Sequence, residues 1–373
     1  MSAEISQFLQ ERIDAGDFPS AVYLVAEKGE IVLHEALGHA VVEPEMIAAR
    51  KDTIYDLASL TKVLVTGLFA AAQIEDGDVT LESRLGYEVN GLNDSPVANL
   101  TIRDLATHTS GLPAWLPLYL ITESATPKDL AAVIGMQALS PGQFEYSDLN
   151  FISLALAIEG SRPDFEFQSW VCSRLGLKRT AFNPLSCGFA RSEIAASEKG
   201  NGFEKQTCIE KGYLQPPTTA GGSDMFRTDV IWGEVHDNNA FFMGGVAGHA
   251  GLFSTAEEVF KIAQQFLPNY TTLLKPETCE MFCTNYTPGM NEHRSFAFQL
   301  GSTPDSTAGT KMSPESFGHL GFTGTSLWID PVKERVFILL TNRTHNRSLP
   351  FENINSVRRH FHDLAIDHLD RIS

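Results

Sequence analysis

Three short stretches hold residue types that can do acyl-transfer chemistry. Ser59-Leu60-Thr61-Lys62 directly follows Ile54-Tyr55-Asp56-Leu57-Ala58. A Ser and a Lys three residues apart on a helix share one face, within side-chain reach. At a helix N-terminus the macrodipole favours a developing alkoxide. A Lys desolvated there can lose its proton near neutral pH and serve as a base. On its own the pattern fits a solvated helix face equally well. Tyr146-Ser147-Asp148 opens a helix after Pro141-Gly142. Tyr146 can shuttle a proton if a nearby ammonium lowers its pKa; the plainer alternative is a half-buried Tyr beside an N-capping Asp148. His319-Leu320-Gly321-Phe322-Thr323-Gly324-Thr325 leads into the strand around Trp328. Glycines there let an acyl group approach the backbone, and a free N–H completes an oxyanion hole. A β-bulge with a surface His is the alternative.

The elements that must position these residues are legible in outline. Ala21 to Leu37 forms a hairpin turning at Glu27-Lys28-Gly29-Glu30, where Gly29 supplies positive φ. Ser59 to Ile74 has a helical pattern, with Gly77 as its stop. Thr101 and Asp104 make a capping box. Further helices are expected at Leu149–Glu159 and Thr255–Phe266, and an amphipathic one at Ile354–Leu369. Thr325–Ile329 and Val336–Leu340 form a second hairpin. Between the helices, Ser186 to Asp237 reads as a long irregular excursion. Strands at both ends with helices between predict an α+β fold, one antiparallel sheet drawn from both termini. The expected division is a sheet lobe of residues 1–85 with 285–373 and a mainly helical lobe of 86–284, the active site lying between them.

Composition narrows the function classes. The 373 residues, 43% hydrophobic, suffice for a large core. Lys and Arg number 28 against 46 Asp and Glu, a formal charge of −18. This argues against nucleic acid or an anionic membrane as partner. Met1 to Gly16 lacks the basic start and apolar core of a secretory signal, and Val63–Ile74, the best apolar run, is too short to span a bilayer. A cytoplasmic location is the expectation. The five cysteines (Cys172, Cys187, Cys208, Cys279, Cys283) are then expected as reduced thiols, and the Cys279/Cys283 spacing alone does not make a zinc site. His236-Asp237 with His249 fits no compact metal motif, though the Glu234–Asn239 loop is expected near the pocket. Trp115 lines an acyl pocket or packs in the core, and His108 is expected to bond local backbone. No Gly-x-Ser-x-Gly elbow is present, against an ordinary α/β-hydrolase.

In this order the three stretches resemble the Ser-x-x-Lys, Tyr-x-Asn and Lys-Thr-Gly triad of the serine β-lactamase and penicillin-binding protein superfamily. The nearest variety is the class C-like branch with its family VIII esterases and D-aminopeptidase-like hydrolases. Leu100 to Pro113 and Gly244 to Ser254 also match it, and the resemblance runs from the first hairpin to Thr341-Asn342-Arg343. It implies Ser59 as the nucleophile of an acyl-enzyme and Lys62 with Tyr146 as the proton-transfer pair. It also implies the N–H groups of Ser59 and Phe322 as oxyanion hole, with Asp148, His319 and Gly321 flanking a small-molecule or peptide acyl substrate. No metal or cofactor is implied. Two departures stand out: His319-Leu320 replaces the usual Lys-Thr, and Asp148 replaces the usual Asn. The first exchanges a permanent cation for a titrating imidazole; the second exchanges an amide for an anion able to pair with Lys62 or a substrate amine. The expected activity is hydrolysis of esters or amides, including D-amino-acid peptides or muropeptides. Weak β-lactamase or penicillin-binding carboxypeptidase activity, or a non-catalytic scaffold of the same fold, are the alternatives.

Overall fold

Apolar residues on β1 (Ser20–Glu27) are nearly continuous because both of its faces are buried. Val22, Leu24 and Ala26 enter the larger core, whereas Ala21, Tyr23 and Val25 enter a smaller one on the opposite side. The computed structural model describes residues 2–140, 142–161, 167–215 and 225–372. In it β1 turns back through Lys28 (φ 50°) and Gly29 (φ 82°) into β2 (Glu30–Val41), the hairpin expected from the sequence. The remaining strands are β3 (Ile47–Ala48), β4 (Tyr55–Asp56), β5 (Ala181–Phe182), β6 (Ala196–Lys199), β7 (Val230–Trp232), β8 (Leu252–Ser254), β9 (Gln299–Leu300), β10 (Phe317–Leu320), β11 (Ser326–Asp330) and β12 (Arg335–Thr341).

The main sheet runs β3-β2-β1-β12-β11-β10-β9, antiparallel throughout. Its centre joins the two ends of the chain, Ala21 pairing with Thr341 and Glu27 with Arg335. The Ser2–Ala15 and Asn355–Ile372 helices cover one face, where Ile5, Leu9, Phe361 and Leu369 pack on Tyr23, Trp328 and Phe337. Each such fully buried side chain contributes ~1.5–3 kcal/mol relative to exposure. The other face packs on the larger core, which includes Leu60, Val63, Leu64 and Leu68.

Two sequence expectations need correction. The helix after Ser59 is not uniform: Lys62–Gly67 is π-helical and only Leu68–Asp76 is α-helical, with Gly77 closing it at φ 80°. Gly67 sits where a Cβ would come 2.8 Å from Ala297 Cβ, so this segment depends on a residue without a side chain. Such π-turns are rare and concentrate at functional sites. The stretch from Ser186 to Asp237 is also more regular than expected. It contains the β6–β7 ribbon and the Gly202–Glu210 helix, while 216–224 lie outside the described residues. Local composition, rich in Gly, Thr and charge, hid the ribbon because its pairing is tertiary. A third, short sheet, β4-β8-β5, carries Asp56 to within three residues of Ser59.

Candidate active site

Ser59 stands at the start of the helical segment, after Ala58, whose φ of 46° is a left-handed conformation unusual for a residue with a Cβ. Lys62 is fully buried one turn on. Its Nζ donates to Ser59 Oγ at 2.9 Å and to the His249 carbonyl at 3.1 Å, and lies 2.8 Å from Asp148 Oδ1. Burial alone would lower the Lys62 pKa, but Asp148 and Tyr146 outweigh it and hold the value above that of an ordinary lysine. Burial by itself would favour a neutral amine, but the acidic side chain in the usual Asn place favours the ammonium form of Lys62.

Tyr146 lies over this ammonium, its ring centroid 5.1 Å from Lys62 Nζ. The 108–114 segment fixes its position. Ser147 N donates to His108 Nδ1 (3.1 Å), Ser147 Oγ to Pro113 O (2.6 Å) and Asp148 N to Ala114 O (3.0 Å). The His108 and Tyr146 rings lie 4.5 Å apart. His108 thus reaches the Tyr146 loop and Asn150 rather than local backbone alone, as the sequence had suggested.

His319 projects from β10, with Nδ1 2.9 Å from the Leu320 carbonyl. A carbonyl can only accept, so Nδ1 carries the proton. Nε2 is buried without a partner among the described residues and is a bare acceptor. Burial first, then Arg294 and Lys62, push the His319 pKa well below its ordinary value. Gly321 is packed against the Leu57–Ser59 turn: a Cβ there would meet Leu57 O at 2.6 Å and also collide with Thr325 Oγ1. Among the described residues, neither Ser59 N–H nor Phe322 N–H has a protein acceptor.

These groups share a cleft of about 540 Å³ lined by Ser59, Trp115, Tyr146, Asp148, His319, Gly321 and Phe322, together with His236 and Asp237 of the Glu234–Asn239 loop. Lys62, fully buried, is not among the lining residues. The family model for beta-lactamase matches residues 5–358. The chain is a serine hydrolase of the beta-lactamase family. A protein provisionally named a D-alanyl-D-alanine carboxypeptidase in Escherichia coli (strain K12) is 30% identical over 92% of this chain and 82% of its own length. The octameric penicillin-binding protein homologue from Pyrococcus abyssi superposes with a TM-score of 0.70, at 17% identity, over 98% of this chain and 77% of that one. A class C beta lactamase from Rhodobacter sphaeroides gives 0.68 at 18% identity, over 98% and 99%. These similarities at low identity establish the common fold.

Within this beta-lactamase-family cleft lie residues that the sequence pattern did not single out. Arg294, buried and ion-paired with Glu292 at 2.9 Å, lies in the wall, as do Arg343 and Arg358. Burial lowers Arg343 to about 10 and Arg358 to about 9. Glu204, also in the wall, is pushed up to about 8 by burial and by Asp237. Asp237 caps the Asn238–Phe242 helix and accepts from His249 Nε2 at 3.1 Å. Burial opposes ionisation of Asp237, but His249, the Ala240 amide and Lys62 hold its carboxyl well below the usual range. Asp148, Asp237 and His249 bring ligand atoms within 4.8 Å of one another, a grouping that can hold a cation. The Lys62 ammonium already pairs with Asp148 there, while His236 turns away to Glu198 (2.8 Å). Of these additional wall residues, the sequence had pointed only to Asp237, through the Glu234–Asn239 loop expected near the pocket. The buried cations and Glu204 come from separate elements of the chain and had none.

Proposed function

We propose that this enzyme hydrolyses esters or amides, D-amino-acid peptides among the latter, through an acyl-enzyme on Ser59. The observation that carries the reading is the single ammonium of Lys62 contacting both Ser59 Oγ (2.9 Å) and Asp148 Oδ1 (2.8 Å) in a fully buried position.

In the proposed reaction the reacting form has Lys62 neutral, its proton released to solvent against the pull of Asp148. The neutral amine then accepts the Ser59 proton while Oγ attacks the acyl carbon. The oxyanion is received by the N–H groups of Ser59 and Phe322. Removing one such donor typically costs 10²–10³ in rate. As the tetrahedral adduct collapses, Tyr146 protonates the leaving group and recovers its proton from Lys62. Water then attacks the acyl-enzyme, with Lys62 and Tyr146 again moving its proton, and Ser59 is regenerated. No metal or cofactor has a part in these steps.

The neutral His319 supports esters and amides over β-lactams. Its bare Nε2 favours a substrate hydrogen-bond donor, and it lacks the permanent charge that a Lys would offer a carboxylate. The names of the curated relatives support a peptide substrate as the amide case.

The test is intact-protein mass spectrometry after a fluorophosphonate and, separately, a penicillin, with Ser59→Ala as control. A Ser59-dependent fluorophosphonate adduct alone is expected. A persistent penicillin adduct as well would move the assignment to a penicillin-binding carboxypeptidase. No adduct on the folded wild-type protein would refute the acyl-enzyme reading in favour of a non-catalytic scaffold.

A further inference from the structure

The two oxyanion donors sit on segments far apart in sequence, and their separation must be held by something. Asp56 reaches both segments, the nucleophile turn through its carboxylate and the Phe322 turn through its backbone carbonyl. It lies on β4, is 4% exposed, and both carboxylate oxygens accept from backbone amides. Oδ1 takes Ala58 N–H at 2.8 Å and Oδ2 takes His236 N–H at 2.7 Å. Its own carbonyl accepts from Thr323 Oγ1 at 2.8 Å, and the next carbonyl, of Leu57, accepts from Thr325 Oγ1 at 3.0 Å.

Each bond has a geometric consequence. The bond to Ala58 N–H closes the turn that holds Ala58 at φ 46°, and that turn directs the Ser59 N–H into the cleft. The bond from Thr323 fixes the residue that follows Phe322, the second donor. The bond to His236 N–H sets the ring that stacks on Phe322, with centroids 5.4 Å apart and 25° between planes. Gly321 lets the β10–β11 turn come close enough for this bracket to form.

We infer that Asp56 is a positioning residue that sets the distance between the Ser59 and Phe322 N–H groups, so that its loss weakens binding of the tetrahedral oxyanion and leaves ground-state binding nearly unchanged. The inference rests on the acyl-enzyme reading and assigns a residue that reading does not use. A carboxylate accepts from both amides at once, whereas Asp56→Asn presents an NH₂ to one of two N–H donors. One arm of the bracket must then open. Thr323→Val cuts the other arm and leaves the carboxylate intact.

The test compares wild type, Asp56→Asn, Thr323→Val and the double variant in three measurements. These are the rate of Ser59 labelling by a fluorophosphonate, affinity for an aryl boronic acid that forms a tetrahedral adduct on Ser59, and inhibition by the carboxylic acid product. For Asp56→Asn the expected result is a 10- to 100-fold loss in labelling rate, an equal loss in boronate affinity, and less than a threefold change in product inhibition. Thr323→Val should show the same split more weakly, and the double variant should lose less than the product of the single losses, since both arms serve one distance. Equal labelling rates and boronate affinities in wild type and Thr323→Val would overturn the inference, even if Asp56→Asn fails to fold. So would an Asp56→Asn protein that melts early but reacts normally when folded, since that would show a purely structural role. If wild type itself gives no Ser59-dependent adduct, the acyl-enzyme reading falls, and this inference falls with it.

Discussion

Replacing Asp148 by Asn restores the amide usual at this place in the family and removes the counter-ion of a buried ammonium. Two unit charges about 4 Å apart at an effective dielectric constant of about 20 attract by ~4 kcal/mol, equivalent to ~3 pKa units. Asp148 is partly open to solvent, 17% by side chain, which screens part of that attraction. Removing Asp148 therefore lowers the Lys62 pKa. Since burial already opposes the charge, the variant's Lys62 falls below an ordinary lysine. Two readouts follow. In acylation of Ser59 followed by stopped flow with a chromogenic ester, the alkaline limb of the rate profile should move to lower pH. At pH 7 the folded variant should then acylate faster by roughly tenfold or more. In stability, the sign follows from the direction of each shift. The raised Lys62 pKa of the wild type stabilises below the unfolded value, and that contribution is lost as pH rises through the folded value. In the variant the folded pKa lies below the unfolded one, so a penalty of up to ~3–5 kcal/mol appears at low pH and shrinks as pH rises. The gap between the two melting temperatures should therefore be widest near pH 6 and narrow towards pH 10. An alkaline limb that stays in place, or moves up, would refute the assignment of Asp148 as the group keeping Lys62 charged and Lys62 as the base.

Three further outcomes are expected. His319→Gln should lower the rate but leave the shape of the profile near neutral pH unchanged, because burial, Arg294 and Lys62 hold His319 well below its ordinary value; loss of a limb between pH 6 and 8 in steady-state kinetics would contradict this. Gly321→Ala should cost ~1–3 kcal/mol or more by overpacking against Leu57 and Thr325, read as a fall in urea midpoint together with loss of Ser59 labelling. Glu204→Gln should flatten the pH dependence of stability. The Glu204 pKa is raised to about 8, so the wild type loses stability as pH climbs from the unfolded carboxyl value towards 8, by a few kcal/mol, and chemical denaturation at pH 5 and pH 8 measures that slope.

The parts of this site that lie in one stretch of chain were legible in the sequence. The Ser59-to-Lys62 spacing, the positive φ of Gly29 and Gly77 and the Thr101/Asp104 capping box are local, and the structure has them in place. The hairpins showed through alternation and turn residues, and they imply the sheet. What stayed hidden depends on distant partners. The charge state of Lys62 depends on Asp148, eighty-six positions on. The neutrality of His319 depends on Arg294 and on burial, and neither has a sequence signature. The π-turn at Lys62–Gly67 was missed because periodicity over so short a run does not separate π from α geometry, and the Ala297 contact that occupies Gly67 comes from a distant loop.

The sheet that pairs β1 with β12 also orders events during synthesis. Ser59 leaves the ribosome early, whereas Phe322 and the Arg358 guanidinium that holds the Gly321 and Thr325 carbonyls (3.0 and 2.9 Å) emerge near the end of the chain. Contacts of such long sequence separation form late and slowly. On the proposed mechanism, the nascent polypeptide therefore carries its serine without a complete oxyanion hole, and acyl donors in the surrounding medium meet a competent nucleophile only when the last strands have joined the first.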